Sequence, residues 1–167
     1  MTSRFASAPV RYGLVAIIVV LDQLTKVAID RSLALYERIP VTGFFNITKA
    51  YNEGAAFSFL QDAGGWQRWF FTIVSSVVSI MLIIWLSRMS SRERWLGIAI
   101  AMILGGALGN LIDRVIYGHV VDFVQIYWRG WWTFPSFNVA DAAISCGAAI
   151  LIVLTLFEKP EESATSR

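Results

Sequence analysis

The sequence predicts an α-helical integral membrane protein, with four transmembrane helices and a small β-rich extramembrane part on the outer face. Three observations carry this. The 167 residues are 56% hydrophobic and only 16% charged, where soluble domains carry about 25% charged residues. Mean hydropathy is +0.59. Apolar runs recur at four places, each near the ~20 residues needed to cross a bilayer core of about 30 Å. Between the first two runs lie the breakers Pro40, Gly43, Gly54, Gly64 and Gly65, with β-branched and aromatic residues gathered among them. The length suits one domain, and residues 1–167 are read as a single membrane-embedded unit.

The first span is expected at about 12–29. A cleaved leader is the other reading of this stretch, since Arg4 and Arg11 precede an apolar core and Ser32 and Ala34 are small. Asp22, Lys26 and Asp30 speak against it, because leader cores tolerate such charges poorly. Residues 31–67 form the outer loop part, and 41–51 are strand-like in content, so a small sheet or hairpin is expected on the membrane surface. The second span falls at about 69–86, marked by Trp66 and Trp69 at one interface and Trp85 at the other. A short basic loop with Arg88, Arg92 and Arg94 leads to the third span, about 95–117, where Gly105 and Gly109 make a small-x-x-x-small face for close helix packing. An outer Trp-rich segment, 122–136, precedes the fourth span at about 137–157. The polar tail, 158–167, is expected to be disordered. The concentration of Arg and Lys in short segments on one side puts both termini in the cytoplasm and the loop part outside.

Composition also excludes. A net charge of +2 does not suggest nucleic acid. Cys146 is the only cysteine, so no intramolecular disulfide forms, and His119 is the only histidine. One imidazole excludes a zinc protease of the H-E-x-x-H type, which needs two. No G-x-S-x-G is present. No metal or cofactor is expected, and carboxylate chemistry is the hydrolytic option left.

The carboxylates concentrate between Gly105 and Asp141. An aspartate near the middle of a spanning helix costs roughly 2.5–3.5 kcal/mol on insertion scales, so acids at that depth point to use. Asn110, Asp113 and Arg114 follow at i, i+3 and i+4 on one face near the outer end of the third span. They suit substrate positioning, with Asp113 and Arg114 as a charge-neutral unit, and equally a pair that locks two helices. Asp122 sits in HVVDFV, and Asp141 opens the fourth span with Asn138 three residues before it. An aromatic segment that runs along the interface and returns would bring these two acids to one depth, facing each other. Two carboxylates in a low-dielectric site share a proton. The charged member can then act as base on a water while the protonated member polarises a carbonyl. The plainer reading is that Asp122 faces water and Asp141 caps its helix. Asp22 and Lys26, four apart, share a helix face as a neutralising pair or as an anchor for the outer part. Asn52 and Gly54 lie in a loop, where the glycine permits close backbone approach.

Taken in order, Asp22-x-x-x-Lys26, Asn52-x-Gly54-Ala55-Ala56-Phe57, Gly109-Asn110-x-x-Asp113-Arg114, Val121-Asp122-Phe123 and Phe137-Asn138-x-Ala140-Asp141 resemble bacterial lipoprotein signal peptidase, signal peptidase II. The resemblance covers nearly the whole chain. Each motif is short, and five in order are specific together. Ala142 stands where the family has serine. The resemblance implies an intramembrane aspartic endopeptidase of the bacterial inner membrane, its site near the periplasmic face. It would remove the signal peptide from prolipoproteins whose cysteine carries diacylglycerol, cutting on the amino side of that cysteine. Asp122 and Asp141 would be the catalytic pair. Asn52, Gly54, Asn110, Asp113, Arg114 and Asn138 would support substrate or catalysis, and Asp22 and Lys26 the structure. Membrane lipid and an inhibitor of the globomycin type are the other implied partners, and a monomer suffices.

Two readings of other classes compete. A small membrane transporter or proton or cation relay would use the acids as a conduction path, and it predicts acids at the bilayer midplane and internal repeats. An assembly factor would use its polar groups only to bind helices together.

Overall fold

The computed structural model describes residues 8–54, 66–128 and 132–157. Arg4, the Ala55-Ala56-Phe57 part of the second motif, the Gly64-Gly65 pair, Arg129, Trp131 and the 158–167 tail lie outside these. Four helices dominate: α1 (Ala8–Ser32), α2 (Trp66–Arg88), α3 (Arg94–Ile116) and α4 (Val139–Phe157). At 1.5 Å per residue they are about 29–37 Å long, enough to cross a hydrocarbon core of ~30 Å. All four are apolar enough to do so. Helix α1 runs beyond the predicted 12–29 at both ends, and α2 begins at Trp66, so the outer loop part is shorter than 31–67. The charged residues Asp22 and Lys26 do not end α1, because both are buried against other helices.

Helix α3 is the hub. It packs on α1, α2 and α4, and half of its apolar stretch is buried, against 17–22% for the other three helices. Small residues permit this. A side chain on Gly105 would meet Ile18 of α1, and one on Gly109 would meet the Asp22 carboxylate. Gly106 faces α4, where a Cβ would collide with the Ala140 carbonyl oxygen, and Gly147 of α4 reciprocates against Ala99 and Ile103. The small-residue face thus serves two helices at once. Val15, Leu82, Leu86, Ile100, Ala101 and Leu104 form the apolar core.

The extramembrane part is an antiparallel sheet of four strands in the order β1 (Arg38–Thr42), β2 (Phe45–Asn52), β3 (Val120–Trp128) and β4 (Trp132–Thr133). The hairpin expected at 41–51 is β1–β2. Strand β3 adds to the sequence reading, which placed Asp122 in HVVDFV at the start of the outer Trp-rich segment and assigned no strand there. VVDFVQIYW is β-branched and aromatic, and it pairs along β2 with Ala50 opposite Asp122 and Asn52 opposite Val120. Its first four residues are buried. The turn into it is made by Gly118, whose φ of +84° ends α3, where its N–H donates to the Asp113 carbonyl at 3.2 Å. Arg68 of α2 donates to the Val115 carbonyl at 3.1 Å, a cation on the last turn of α3.

Candidate active site

Sheet register and a helix cap together place the two aspartates. Because Ala50 lies opposite Asp122, Asn52 is its diagonal neighbour on the same sheet face. The Asn52 amide Nδ2 donates to Asp122 Oδ2 at 3.1 Å. The peptide N–H groups of Phe123 and Val124 donate to the Phe137 carbonyl at 3.0 and 2.8 Å, so the start of α4 is fastened to β3. There Asn138 and Asp141 form a reciprocal cap. Asn138 Oδ1 accepts from the Asp141 N–H at 2.9 Å, and Asp141 Oδ2 accepts from the Asn138 N–H at 3.2 Å. Asn138 then turns its Nδ2 to Asp122 Oδ1 at 2.7 Å, and so touches both acids. The plain reading of Asp141 as a cap and the reading of it as a site residue describe the same side chain: one oxygen caps, and the other, Oδ1, accepts from Asn110 Nδ2 at 2.8 Å.

The three asparagines share one design. In each, a donor on the amide oxygen fixes which way the NH₂ points. Gly54 N–H donates to Asn52 Oδ1 at 2.9 Å, the Lys26 ammonium donates to Asn110 Oδ1 at 2.9 Å, and the Asp141 N–H holds Asn138 Oδ1. A donor cannot face a donor, so every NH₂ is directed onto a carboxylate oxygen. Gly54 is in the left-handed region at φ +98°, and a side chain there would strike the Phe71 ring. Both effects reserve the position for glycine. Asp122 and Asn138 are 3% and 0% exposed, whereas Asp141 is half-buried. Burial, reinforced by the neighbouring Asp141, pushes the Asp122 carboxyl up to about 7, against the smaller opposing pull of the Asn52 and Asn138 hydrogen bonds.

Below the asparagines lies a buried ionic layer. Lys26 Nζ is 2.8 Å from Asp22 Oδ2 and 3.0 Å from Asp113 Oδ2, with Asn110 as its third acceptor. Asp22 Oδ1 accepts from the Ala140 N–H at 2.8 Å, tying α1 to the first turn of α4. Asp113 Oδ2 also accepts from the Val121 N–H at 3.2 Å, tying α3 to β3. Gln23 bridges the two acids, its Nε2 2.8 Å from Asp113 Oδ1 and 3.2 Å from Asp22 Oδ2. Asp22 and Lys26 are thus directly paired, and their bonds join α1 to α3 and to the first turn of α4.

Asp113 and Arg114 do not form the expected charge-neutral unit. Consecutive helical residues point about 100° apart; Asp113 turns to Lys26, and Arg114 turns towards α2. The Arg114 guanidinium lies 5.7 Å from the Phe71 ring centroid, donates weakly to the Asn110 carbonyl at 3.4 Å, and leaves a buried Nε without a partner among the described residues. Sequence reasoning missed Gln23 and the Tyr51–His119 ring pair, whose centroids are 3.9 Å apart. Gln23 could have been found from its place beside Asp22, on the helix face that Lys26 shares.

Known proteins resemble this arrangement closely. The sequence model of a family described as signal peptidase (SPase) II matches residues 14–157. A lipoprotein signal peptidase of Ectopseudomonas mendocina is 51% identical over 164 residues, 98% of this chain and 95% of that protein. One of Pseudomonas syringae pv. tomato is 49% identical, covering 91% of this chain and 88% of the relative. Among solved structures, a bacterial membrane enzyme determined in meso at 2.3 Å superposes with a TM-score of 0.80 at 30% identity, over 94% of this chain and 93% of the other.

Proposed function

The chain belongs to the signal peptidase II family, and from that premise we propose that Asp122 and Asp141 are the acid pair with which it cuts. It is a multi-pass bacterial membrane peptidase that removes signal peptides from prolipoproteins. The observation that carries the pair is the three fixed amides: Asn52, Asn110 and Asn138 each direct an NH₂ group onto Asp122 or Asp141, and the Asn138 backbone N–H donates to Asp141 as well. Near neutral pH the pair holds one proton. The charged carboxylate removes a proton from water, which attacks the scissile carbonyl while the protonated acid donates to the carbonyl oxygen. Collapse of the tetrahedral intermediate returns that hydrogen, and the leaving amine takes a proton from the acid that served as base. Asp141, half-buried where Asp122 is buried, is the more accessible of the two to water.

The substrate is a prolipoprotein whose cysteine carries diacylglycerol, cut on the amino side of that cysteine. Arg114, with an unused Nε beside the acids, binds its polar backbone or ester groups. Trp132, stacked edge-on with Phe134 at 5.6 Å, borders the acyl chains at the interface. Asn52, Gly54, Asn110, Asp113 and Asn138 position these groups; Asp22 and Lys26 hold the scaffold beneath them. A globomycin-type cyclic peptide would compete for the same acids, and lipid surrounds the helices. One chain suffices, because every one of these residues comes from it. The relay reading is weaker: the acids gather at the sheet end of the bundle, not along a path through it.

The test is cleavage of a diacylglyceryl-modified prolipoprotein by the purified chain in detergent. Asp122→Asn and Asp141→Asn keep size and remove the carboxylate, so each should lower the rate ~10²–10⁴-fold with thermal unfolding close to wild type. A folded variant that cleaves at near wild-type rate would refute the pair.

A further inference from the structure

A cavity of about 310 Å³ opens on the sheet side of the bundle between α1, α3 and β2. None of the three asparagines, nor Asp122 or Asp141, lines it. Its acids are already engaged: Asp30 accepts from Tyr51 Oη at 2.9 Å and pairs with Lys49 at 2.9 Å, and Asp113 is held by Lys26. Arg31 and His119 also line it, and among the described residues neither has a hydrogen bond or ion pair. The groups left to meet a ligand are the Arg31 guanidinium, which only donates, the His119 imidazole, with one N–H to offer, and the Tyr117 hydroxyl, and a guanidinium with N–H and O–H donors beside it suits an anion.

The surroundings say which anion. Val20, Leu24, Val27 and Arg31 share one face of α1. Val20 and Leu24 are 54% and 63% exposed, so an apolar strip runs from the cavity mouth towards the membrane interior. Leu24 and Arg31 are seven residues apart, about 10 Å along the helix. The cavity is at the lower end of ligand-pocket sizes, roughly 300–1,000 Å³: room for a headgroup, not for acyl chains. We infer that this cavity seats the phosphate of a glycerophospholipid from the sheet-side leaflet, held by Arg31 and His119, with its tails along the Val20–Leu24 strip. The inference requires only that the helices span a bilayer, and it stands apart from the acid pair.

Native mass spectrometry of the delipidated full chain, titrated with dioleoyl phosphatidylglycerol, tests it. Wild type should retain one lipid. Arg31→Gln and His119→Phe should each weaken retention at least fivefold, and His119→Gln, which keeps a donor, should weaken it less. Prolipoprotein cleavage in detergent should stay near wild type in all three, which separates this result from any failure of the acid pair. Dioleoylglycerol, with the same tails and no phosphate, should not show the Arg31-dependent retention. Glycerol 3-phosphate, with no tails, should not displace the lipid at equal concentration. Retention unchanged in both Arg31→Gln and His119→Phe overturns the inference. So does a diacylglycerol adduct equally sensitive to Arg31→Gln, which would mean tails alone are read. Displacement by glycerol 3-phosphate overturns it in favour of a soluble anion site.

Discussion

Each carboxylate of the proposed pair accepts two nitrogen donors, yet Asp122 still titrates near 7 because burial and the Asp141 charge outweigh them. This fixes the sign of the pH dependence. The raised value means that the folded protein keeps the pair's proton up to about 7. Above that the proton leaves, both acids are charged, and kcat/KM should fall about tenfold per pH unit. Asn52→Leu removes an amide that favours the charged Asp122. The carboxyl then holds its proton to higher pH, so the alkaline limb of the kcat/KM profile should move upward. A limb that stays in place, or moves down, would show that Asp122 is not the group being titrated. Lys26 works one step further back. Its three N–H donors meet three acceptors, Asp22, Asp113 and Asn110, so one ammonium both neutralises the ionic layer and aims the Asn110 amide.

Among the elements, α3 can be the hub only because its glycines admit neighbours on two sides. Gly106 is the stricter case, since its obstacle is the backbone oxygen of Ala140, in the turn that carries Asn138 and Asp141. Backbone cannot rotate away as a side chain can. Gly106→Ala should therefore destabilise the protein in detergent by about 1–3 kcal/mol, read as a lower thermal midpoint. Gly13→Ala, with open space around the added carbon, should leave the midpoint unchanged or raise it, since alanine is the better helix former. Equal losses at both positions would mean that the close α3–α4 approach at Gly106 is not what the added methyl disturbs. Helices were the most legible elements in the sequence, because a run of ~20 apolar residues has few other fates. Strand β3 was less so. Its content was strand-like, but its partner β2 lies some 70 residues earlier, and sequence spacing does not reveal such a pairing. The pairing of Asp113 with Lys26 in place of Arg114 was hidden for the same reason: the nearer cation in sequence points away, and the true partner sits on another helix.

At the scale of the whole molecule, the polar layers stack at one end. The sheet, the asparagines and both proposed catalytic acids occupy the end where α1 finishes and α4 begins, while the α2–α3 turn with Arg92 occupies the other. At that other end Arg11 is only 2% exposed and donates to the Met89 and Ser90 carbonyls at 3.3 and 2.5 Å, so this cation, on the side where Arg and Lys concentrate, is a structural clasp on the end of α2. The charge bias survives without it, because Arg88, Arg92 and Arg94 remain in or beside a short turn. Orientation by positive charge is counted over such short segments, and on that rule we propose that the turn faces the cytoplasm and the sheet the periplasm. Water for hydrolysis and a signal peptide's outer end would then meet at the acid pair. In a Cys146→Ala background, Gly43→Cys in the open β1–β2 turn should react with a membrane-impermeant maleimide in intact cells whose outer membrane alone is permeabilised. Ser91→Cys should react only after the inner membrane is opened. The reverse pattern would put Asp122 and Asp141 on the cytoplasmic side, where an exported precursor's cleavage point does not reside, and the proposed function would then need another site.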